Sequence, residues 1–342
     1  MKKLLCLSLS LCILLSGCGL LPQQSEQKQY TATFLSLFDT LTTIVGRAES
    51  EEVFQARAQQ IHDKLLVYHQ LFDIYNEYEG MNNLKTLNDQ AAINPIKVDP
   101  VILHLLRDCK ELYAATKGKV NAAMGSVLSL WHEARSDGID DPTSATLPSR
   151  EALEEASLHT DPESVVLDEE AGTVFFSDPL LKLDVGAIAK GWAVQRVAEE
   201  TEPGLLISVG GNVCATGPKE EDGSPWVIGI QDPDGGERYV HTLYLKEGSV
   251  VTSGDYQRAY VVEGKLYHHI IDPATLYPSE YWRSVSVVCK DSGIADALST
   301  ALFLLPQEEG QQLLEQYGAE ALWIDAQGQR FYSHGFRELI RT

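Results

Sequence analysis

Basic residues are scarce in this chain. Only 27 lysines and arginines stand against 49 aspartates and glutamates in 342 residues, a formal charge of −22, or −24 once Lys2 and Lys3 of the leader described below are discounted. A chain so charged repels phosphate backbones, which excludes nucleic acid as a partner. It also implies that a bound phosphate is neutralised by a metal cation rather than by a lysine patch. Cysteine is equally uninformative as a framework. Of six cysteines, Cys6 and Cys12 lie in the leader and Cys18 at its end, leaving Cys109, Cys214 and Cys289 widely separated. No CxxC pair and no histidine at zinc spacing accompanies them, so they read as buried apolar side chains. There is no GxSxG elbow, no Walker A loop, no GxGxxG fingerprint and no nucleophile, base and orienter set, which excludes a hydrolase triad and the common nucleotide loops. No internal repeat is visible.

The longest apolar run, Leu4 to Leu15 after Lys2-Lys3, is too short to span a bilayer comfortably and reads as a signal peptide over residues 1–17. It ends in Leu15-Ser16-Gly17-Cys18, a sequence that resembles a bacterial lipobox, so Cys18 is the expected lipidated residue. The alternatives are an ordinary secretory signal or a small membrane anchor. Residues 18–29, rich in glutamine and serine, read as the lipidated cysteine and a flexible tether, and 30–342 as one domain. The expected location is the extracytoplasmic face of the cell membrane, held by the lipid.

With 44% hydrophobic residues the remainder can bury a large core. Alternation over Ala32 to Val45 predicts a strand or hairpin. Helical spacing of Val53, Ala56, Ile61, Leu65 and Phe72 predicts a long helix from Ser50 to about Asn76, and Asp99, Pro100 and Gly118 bracket a second one over 100–117. The Asp-, Ser- and Pro-bearing stretch from Asp137 to Pro148 reads as an exposed loop. A short helix over 150–158 and two strands over 165–176 follow. Beyond Leu183 the pattern is a loop opening a helix over 186–201, then closely spaced strands near Leu205, Val213, Trp226, Tyr239, Val250, Ala259 and Leu266. A strand at 285–288, helices over 294–304 and after Pro306, and strands near Ala321 and Arg330 close the chain. Such spacing implies antiparallel sheet, and the whole reads as a single α+β domain of mixed and antiparallel sheets packed with helices.

Chemistry concentrates in the C-terminal half. Val251-Thr252-Ser253-Gly254-Asp255-Tyr256, His268-His269-Ile270-Ile271-Asp272-Pro273 and Asp296-Ala297-Leu298-Ser299-Thr300 bring hydroxyls, a histidine and an acidic ligand candidate into one span. Asp296 and Thr300 are one turn apart on a helix that is otherwise apolar, so they share a face, and a buried aspartate needs a compensating partner. Carboxylate, hydroxyl and carbonyl oxygens suit magnesium or calcium better than zinc. Upstream, Asp184-Val185-Gly186-Ala187-Ile188-Ala189-Lys190-Gly191 is either a simple helix start or a turn whose amides receive an anion. Gly210-Gly211-Asn212 is either a bulged hairpin or a ligand-contacting loop. His269 sits at a strand edge, where a neutral imidazole can take a proton from an attacking hydroxyl. Its neighbour His268 points to the opposite side.

At these residues, and at Trp226 to Pro233, the sequence resembles the FAD:protein FMN transferase (ApbE) family from about Phe34 to the C-terminus, with every segment in family order. The resemblance implies a magnesium-dependent enzyme that transfers the FMN half of FAD to a threonine hydroxyl of a target flavoprotein and releases AMP. On that pattern Ala187 through its carbonyl, Asp296 and Thr300 hold the cation. Phe38, Asn121, Asp184, Lys190 and Ile271 lie along the FAD, and His269 is the catalytic base. The implied acceptors are flavoprotein subunits of membrane redox complexes. Two departures stand out: Phe38-Asp39-Thr40 where many members carry Met-Gly-Thr, and Val120-Asn121-Ala122-Ala123 where many carry Phe-Asp-x-Thr. The competing readings are a magnesium-dependent FAD pyrophosphatase and a non-catalytic flavin-binding lipoprotein, which would need neither His269 nor the metal pair.

Overall fold

The computed structural model describes residues 27–236 and 238–342. The leader and Cys18 lie outside the described residues. The chain opens with a hairpin of β1 (Lys28–Leu37) and β2 (Thr40–Ala48), so β1 starts two residues ahead of the expected domain. Helix α1 (Glu51–Phe72) follows, capped by the Ser50 hydroxyl, which accepts from the Val53 amide at 3.3 Å. It ends earlier than Asn76 because the Asp73 carboxylate captures the amides of Tyr75 and Asn76 at 2.7 and 3.1 Å, a local bond that competes with the helix.

Then come α2 (Leu84–Gln90), β3 (Ile96–Lys97), α3 (Pro100–Ala115), α4 (Gly125–Asp140) and α5 (Arg150–Ser157), with strands β4 (Val165–Asp168) and β5 (Thr173–Phe176) pairing in the order β3-β5-β4. Two features depart from expectation. The unforeseen α2 starts at Asn83 with a reciprocal capping box to Thr86, inside a stretch whose two asparagines suggest a turn. Helix α4 runs into the expected loop as far as Asp140. Its glycines and serines obscure the period, yet Val127 and Trp131 are buried and Gly138 is required, since a Cβ there would lie 2.7 Å from the Tyr260 ring.

The second half holds α6 (Ala189–Glu199), β6 (Leu205–Val209), β7 (Asn212–Ala215), β8 (Trp226–Gln231), β9 (Tyr239–Leu245), β10 (Gly248–Gly254), β11 (Ala259–Val262), β12 (Lys265–His268), β13 (Ser284–Cys289), α7 (Ser292–Phe303), α8 (Gln307–Tyr317), β14 (Glu320–Ile324) and β15 (Arg330–Tyr332). Eight strands form one antiparallel sheet in the order β1-β2-β6-β7-β10-β13-β14-β15. Side chains alternate across it as strand geometry requires. Val251, Val285, Val287, Ala321 and Trp323 face the helices α1, α6 and α7, whereas Val250, Leu322 and Ile324 face the β8–β9 hairpin. A third, smaller core of Val127, Trp131, Leu153, Tyr260 and Leu276 joins α4 to the β11–β12 ribbon. The fold is therefore α+β, as expected, and Cys109, Cys214 and Cys289 are all free and buried.

This layering places the site. The turns β1–β2 and β6–β7 and the end of β10 fall at one end of the large sheet, because antiparallel pairing returns each strand to that end. The helical layer with α4 and the ribbon stands opposite.

Candidate active site

Between those two parts lies a cavity of about 540 Å³, a size suited to a nucleotide-sized ligand. The sheet side contributes Phe38 to Thr40, Gly210, the segment Asp184 to Lys190, and Thr300 and Leu304 of α7. The other side contributes Asn121, Met124, Leu128 and His132 from the start of α4 onward, and Arg258 and His269 to Ile271 flanking the ribbon. Tyr75 and His69 close one end.

The sequence-predicted residues Phe38, Asn121, Asp184, Ala187, Lys190, His269, Ile271 and Thr300 all line this one cavity. Asp296 does not. It sits just behind the lining, 4% exposed, where its Oδ2 accepts the Gly191 amide at 2.8 Å and its Oδ1 lies 3.8 Å from Lys190 Nζ. Gly191 is forced by this approach, since a Cβ would lie 2.2 Å from the Ser292 carbonyl oxygen and 2.5 Å from the Asp296 Cβ. Burial pushes the Asp296 carboxyl above the usual range, while Lys190 and the Gly191 amide pull it down. Beneath it, Ser299 Oγ donates to the Asp296 carbonyl at 2.8 Å and meets Ser253 Oγ at 2.7 Å, tying α7 to β10.

The loop before α6 is braced from within. Asp184 Oδ1 accepts the Gly186 amide at 2.8 Å, and Ala189 donates to the Val185 carbonyl at 2.9 Å. The amides of Gly186 and Gly191 are thus already committed, which favours the helix-start reading of this segment. The two glycines of the β6–β7 turn have φ of 57° and 91°, the left-handed pair of a two-residue hairpin. Gly210 also packs on Thr40, where a Cβ would meet Oγ1 at 2.7 Å. The turn is a regular two-residue hairpin without the expected bulge, and Gly210 lies on the cavity lining.

Phe38 and Asp39, one of the two departures noted above, both adopt positive φ, 52° and 54°. That conformation is costly for a phenylalanine. The Phe38 amide is held by His69 Nδ1 at 3.2 Å, and the rings meet edge to face at 5.5 Å. At the other departure, Asn121 spends its side chain on the backbone, donating to the Thr160 carbonyl and accepting the Ala123 amide, each at 2.9 Å.

His269 is partly exposed as a residue, but its Nδ1 is closed off from solvent and has no hydrogen-bond partner. Burial, and then the positive charge of Arg258, push its pKa down to about 3, so the ring is neutral at pH 7. His268 turns away as strand alternation requires. Its Nδ1 accepts the Ile270 amide at 3.2 Å, so its Nε2 carries the proton that the Ser279 carbonyl receives at 2.8 Å.

Tyr75, His132 and Arg258 are among the cavity residues that the sequence did not point to. Tyr75 Oη meets His132 Nδ1 at 2.9 Å, and His132 Nε2 lies 3.7 Å from Asp184 Oδ2. His132 falls one turn after Leu128 and two after Met124, a stripe that becomes visible only once α4 is recognised. Arg258 follows the TSGDY segment closely and carried no signal of its own.

The fold and cavity thus define an α+β enzyme whose cleft, walled by an antiparallel sheet and a helical layer, is sized for a nucleotide. The ApbE family matches residues 38–323, and the chain belongs to that family. The chain is 35% identical over 262 residues to the FAD:protein FMN transferase of Treponema pallidum (strain Nichols), covering 70% of each protein. It is 32% identical over 268 residues to one of that name from Klebsiella pneumoniae (strain 342), covering 75% of this chain and 80% of the relative. Among solved structures, the ApbE protein of Thermotoga maritima superposes with a TM-score of 0.81 at 30% identity, covering 92% of this chain and all (100%) of the other. The flavin transferase ApbE of Vibrio cholerae shares the fold at a TM-score of 0.74, with 92% and 99% covered.

Proposed function

We propose that this chain transfers the FMN half of FAD to a threonine hydroxyl of an acceptor flavoprotein. The threonine Oγ forms a bond to the FMN phosphorus, the bond from that phosphorus to the bridging oxygen breaks, and AMP leaves with the electron pair. His269 takes the hydroxyl proton. The observation that carries this reading is His269 itself: a neutral imidazole with an unpartnered nitrogen, in a nucleotide-sized cavity. A group with so low a pKa accepts a proton weakly at rest. A dianionic diphosphate alongside it raises its basicity, which couples proton transfer to substrate binding.

The residues present fit a magnesium ion. Asp296 is a buried carboxylate whose charged neighbour stays at 3.8 Å, and it shares an α7 face with the Thr300 hydroxyl. With the Ala187 carbonyl these are hard oxygen donors only. Among the described residues no cluster of three or more His, Cys, Asp or Glu offers an alternative. Magnesium, when bound, would offset charge on the diphosphate oxygens. The chain's own part is to hold Asp296 in place through Gly191 and Ser299, to align the dinucleotide along Phe38, Asn121, Asp184, Lys190 and Ile271, and to keep water from His269 Nδ1.

We also infer that Cys18 carries a lipid holding the domain at the extracytoplasmic membrane face, near flavoprotein subunits of membrane redox complexes. Palmitate labelling of the full chain, lost in Cys18→Ser, would support the anchor, and unchanged labelling would remove it. The transferase reading is tested by incubating the protein with FAD, magnesium and a threonine-bearing flavoprotein domain. A magnesium-dependent mass gain equal to FMN, abolished by replacing the acceptor threonine, is expected. AMP and free FMN without labelling would identify a pyrophosphatase instead, and intact bound FAD a binding protein.

A further inference from the structure

Several arginines of this acidic chain are paired with carboxylates. Arg47, Arg57, Arg107, Arg150, Arg196 and Arg283 each have one within 4.0 Å. Arg330, Arg337 and Arg341, away from the cavity, have none among the described residues, and two more lie on or beside the cavity. Among the described residues Arg258, on the lining, and Arg135, half-buried on α4, have neither a carboxylate within 4.0 Å nor a hydrogen-bond acceptor.

Their placement follows from the backbone. In the ribbon, Ala259 of β11 is registered against His268 of β12, and this is the last pair at that end. The next residues outward are Arg258 and His269, so they leave the ribbon side by side, with Cα atoms about 4.5–5.5 Å apart if the register continues one step. Arg135 comes from the facing helix. It is one turn beyond His132 on the stripe Met124, Leu128 and His132 that lines the cavity, and β11 is pressed onto the same helix through Tyr260 and Gly138. Arg258 is exposed on the lining and Arg135 half-buried behind it, and the two like charges, each without a carboxylate partner, repel one another, a repulsion that a shared anion would relieve.

We propose that Arg258, supported by Arg135, is an anion subsite that grips phosphate oxygens of the dinucleotide next to His269. The inference rests on the flavin reading above. It deepens it by assigning the charge on the reacting phosphate to the ribbon wall as well as to the metal side. A guanidinium offers two parallel N–H groups that match two oxygens of one phosphate, a match lysine cannot make.

Equilibrium titrations without turnover test it, using FAD, FMN, phosphate-free riboflavin and ADP against the wild type, R258Q, R258K and R135Q, with thermal unfolding as a check on the fold. R258Q should weaken FAD and FMN about 10- to 100-fold and leave riboflavin and the unfolding temperature unchanged. R258K should recover part of the loss, and R135Q should lose less than R258Q. Equal weakening of riboflavin, or FAD binding unchanged in R258Q while the KM for the acceptor protein rises, would overturn the phosphate assignment; the second result would give Arg258 to a carboxylate of the acceptor. If the wild type binds no flavin but binds ADP, and R258Q loses it, the flavin reading falls and the subsite stands. Binding of neither ligand by the wild type overturns both.

Discussion

The two walls of the cavity are built on opposite principles. On the sheet wall the carboxylates and Ser299 are already answered by protein: Asp184 by the Gly186 amide, Asp296 by the Gly191 amide and Lys190, Ser299 by Ser253. On the ribbon wall the groups that face the cavity are left open: His269 Nδ1 has no partner and Arg258 has no counter-ion among the described residues. A polar wall that satisfies itself is rigid before a ligand arrives. A wall of unsatisfied groups lowers its free energy only when one binds. The first therefore presents pre-set groups and the second groups that await a ligand, and substitutions on the two should fail in different ways.

The largest effect is expected where the sheet wall is tightest. Gly191→Val adds atoms into a space where even a Cβ would come 2.2 Å from the Ser292 carbonyl oxygen. Helices α6 and α7 must separate, costing about 3 kcal/mol or more. Thermal unfolding and activity should fall together. A variant that unfolds like the wild type would show that the helices are not locked at this point. Asp296→Ala comes next. It should abolish magnesium-dependent turnover and cost about 1–3 kcal/mol, because the buried Gly191 amide loses its acceptor. Unchanged metal dependence would place the cation elsewhere.

On the ribbon wall the same size of chemical loss should come without the structural one. His269→Ala is expected to slow transfer by about 10²–10⁴-fold with FAD affinity and unfolding temperature at neutral pH nearly unchanged, since Nδ1 makes no bond to lose. Its pH behaviour sharpens the contrast. The folded pKa lies near 3 and the unfolded value near 6.5. Between them the unfolded chain binds the extra proton, so stability falls as pH drops through that window. The variant should lose less stability than the wild type between about pH 6.5 and pH 3. The acid limb of kcat/KM in the wild type should likewise lie well below pH 6. A limb near 6.5 would mean that His269 is not the group that titrates.

The same division explains what the sequence made legible. Strands such as β10, β13 and β14 are plain because Val250 and Val251, or Ala321 and Leu322, bury on opposite faces with period two. The sheet wall was legible chiefly through the family resemblance, because Asp184 to Gly191 and Asp296 to Thr300 are compact segments that match it as units, although spacing puts Asp296 and Thr300 on one helix face. The ribbon wall was half hidden. His269 belongs to a recognisable segment, but Tyr75, His132 and Arg258 come from three separate elements, and their meaning arises only when α4 packs on β11. Helix α4 itself was obscured by Ser126 and Ser129 and by Gly125 and Gly138, whose lack of a side chain permits close packing at a cost in helix propensity.

The β1–β2 turn is the exception that limits the comparison, because strain there sits on the otherwise settled sheet wall. Phe38 and Asp39 both hold positive φ, which an L side chain adopts at a cost, and the turn is closed by the Leu37–Thr40 pair with the Phe38 amide donating to His69 Nδ1. Asp39 is exposed and lends no packing to the core, so Asp39→Gly isolates the backbone term. Glycine accepts that φ without penalty but gives the unfolded chain more freedom, and the two contributions oppose each other. Relief of the left-handed conformation should prevail by a small margin, raising stability by up to about 1 kcal/mol with no change in FAD affinity. A loss of stability would mean that Asp39 is comfortable as it stands and that the turn stores nothing. A change in FAD affinity without a change in stability would show that the Asp39 side chain, and not only Phe38, contributes to binding at this turn.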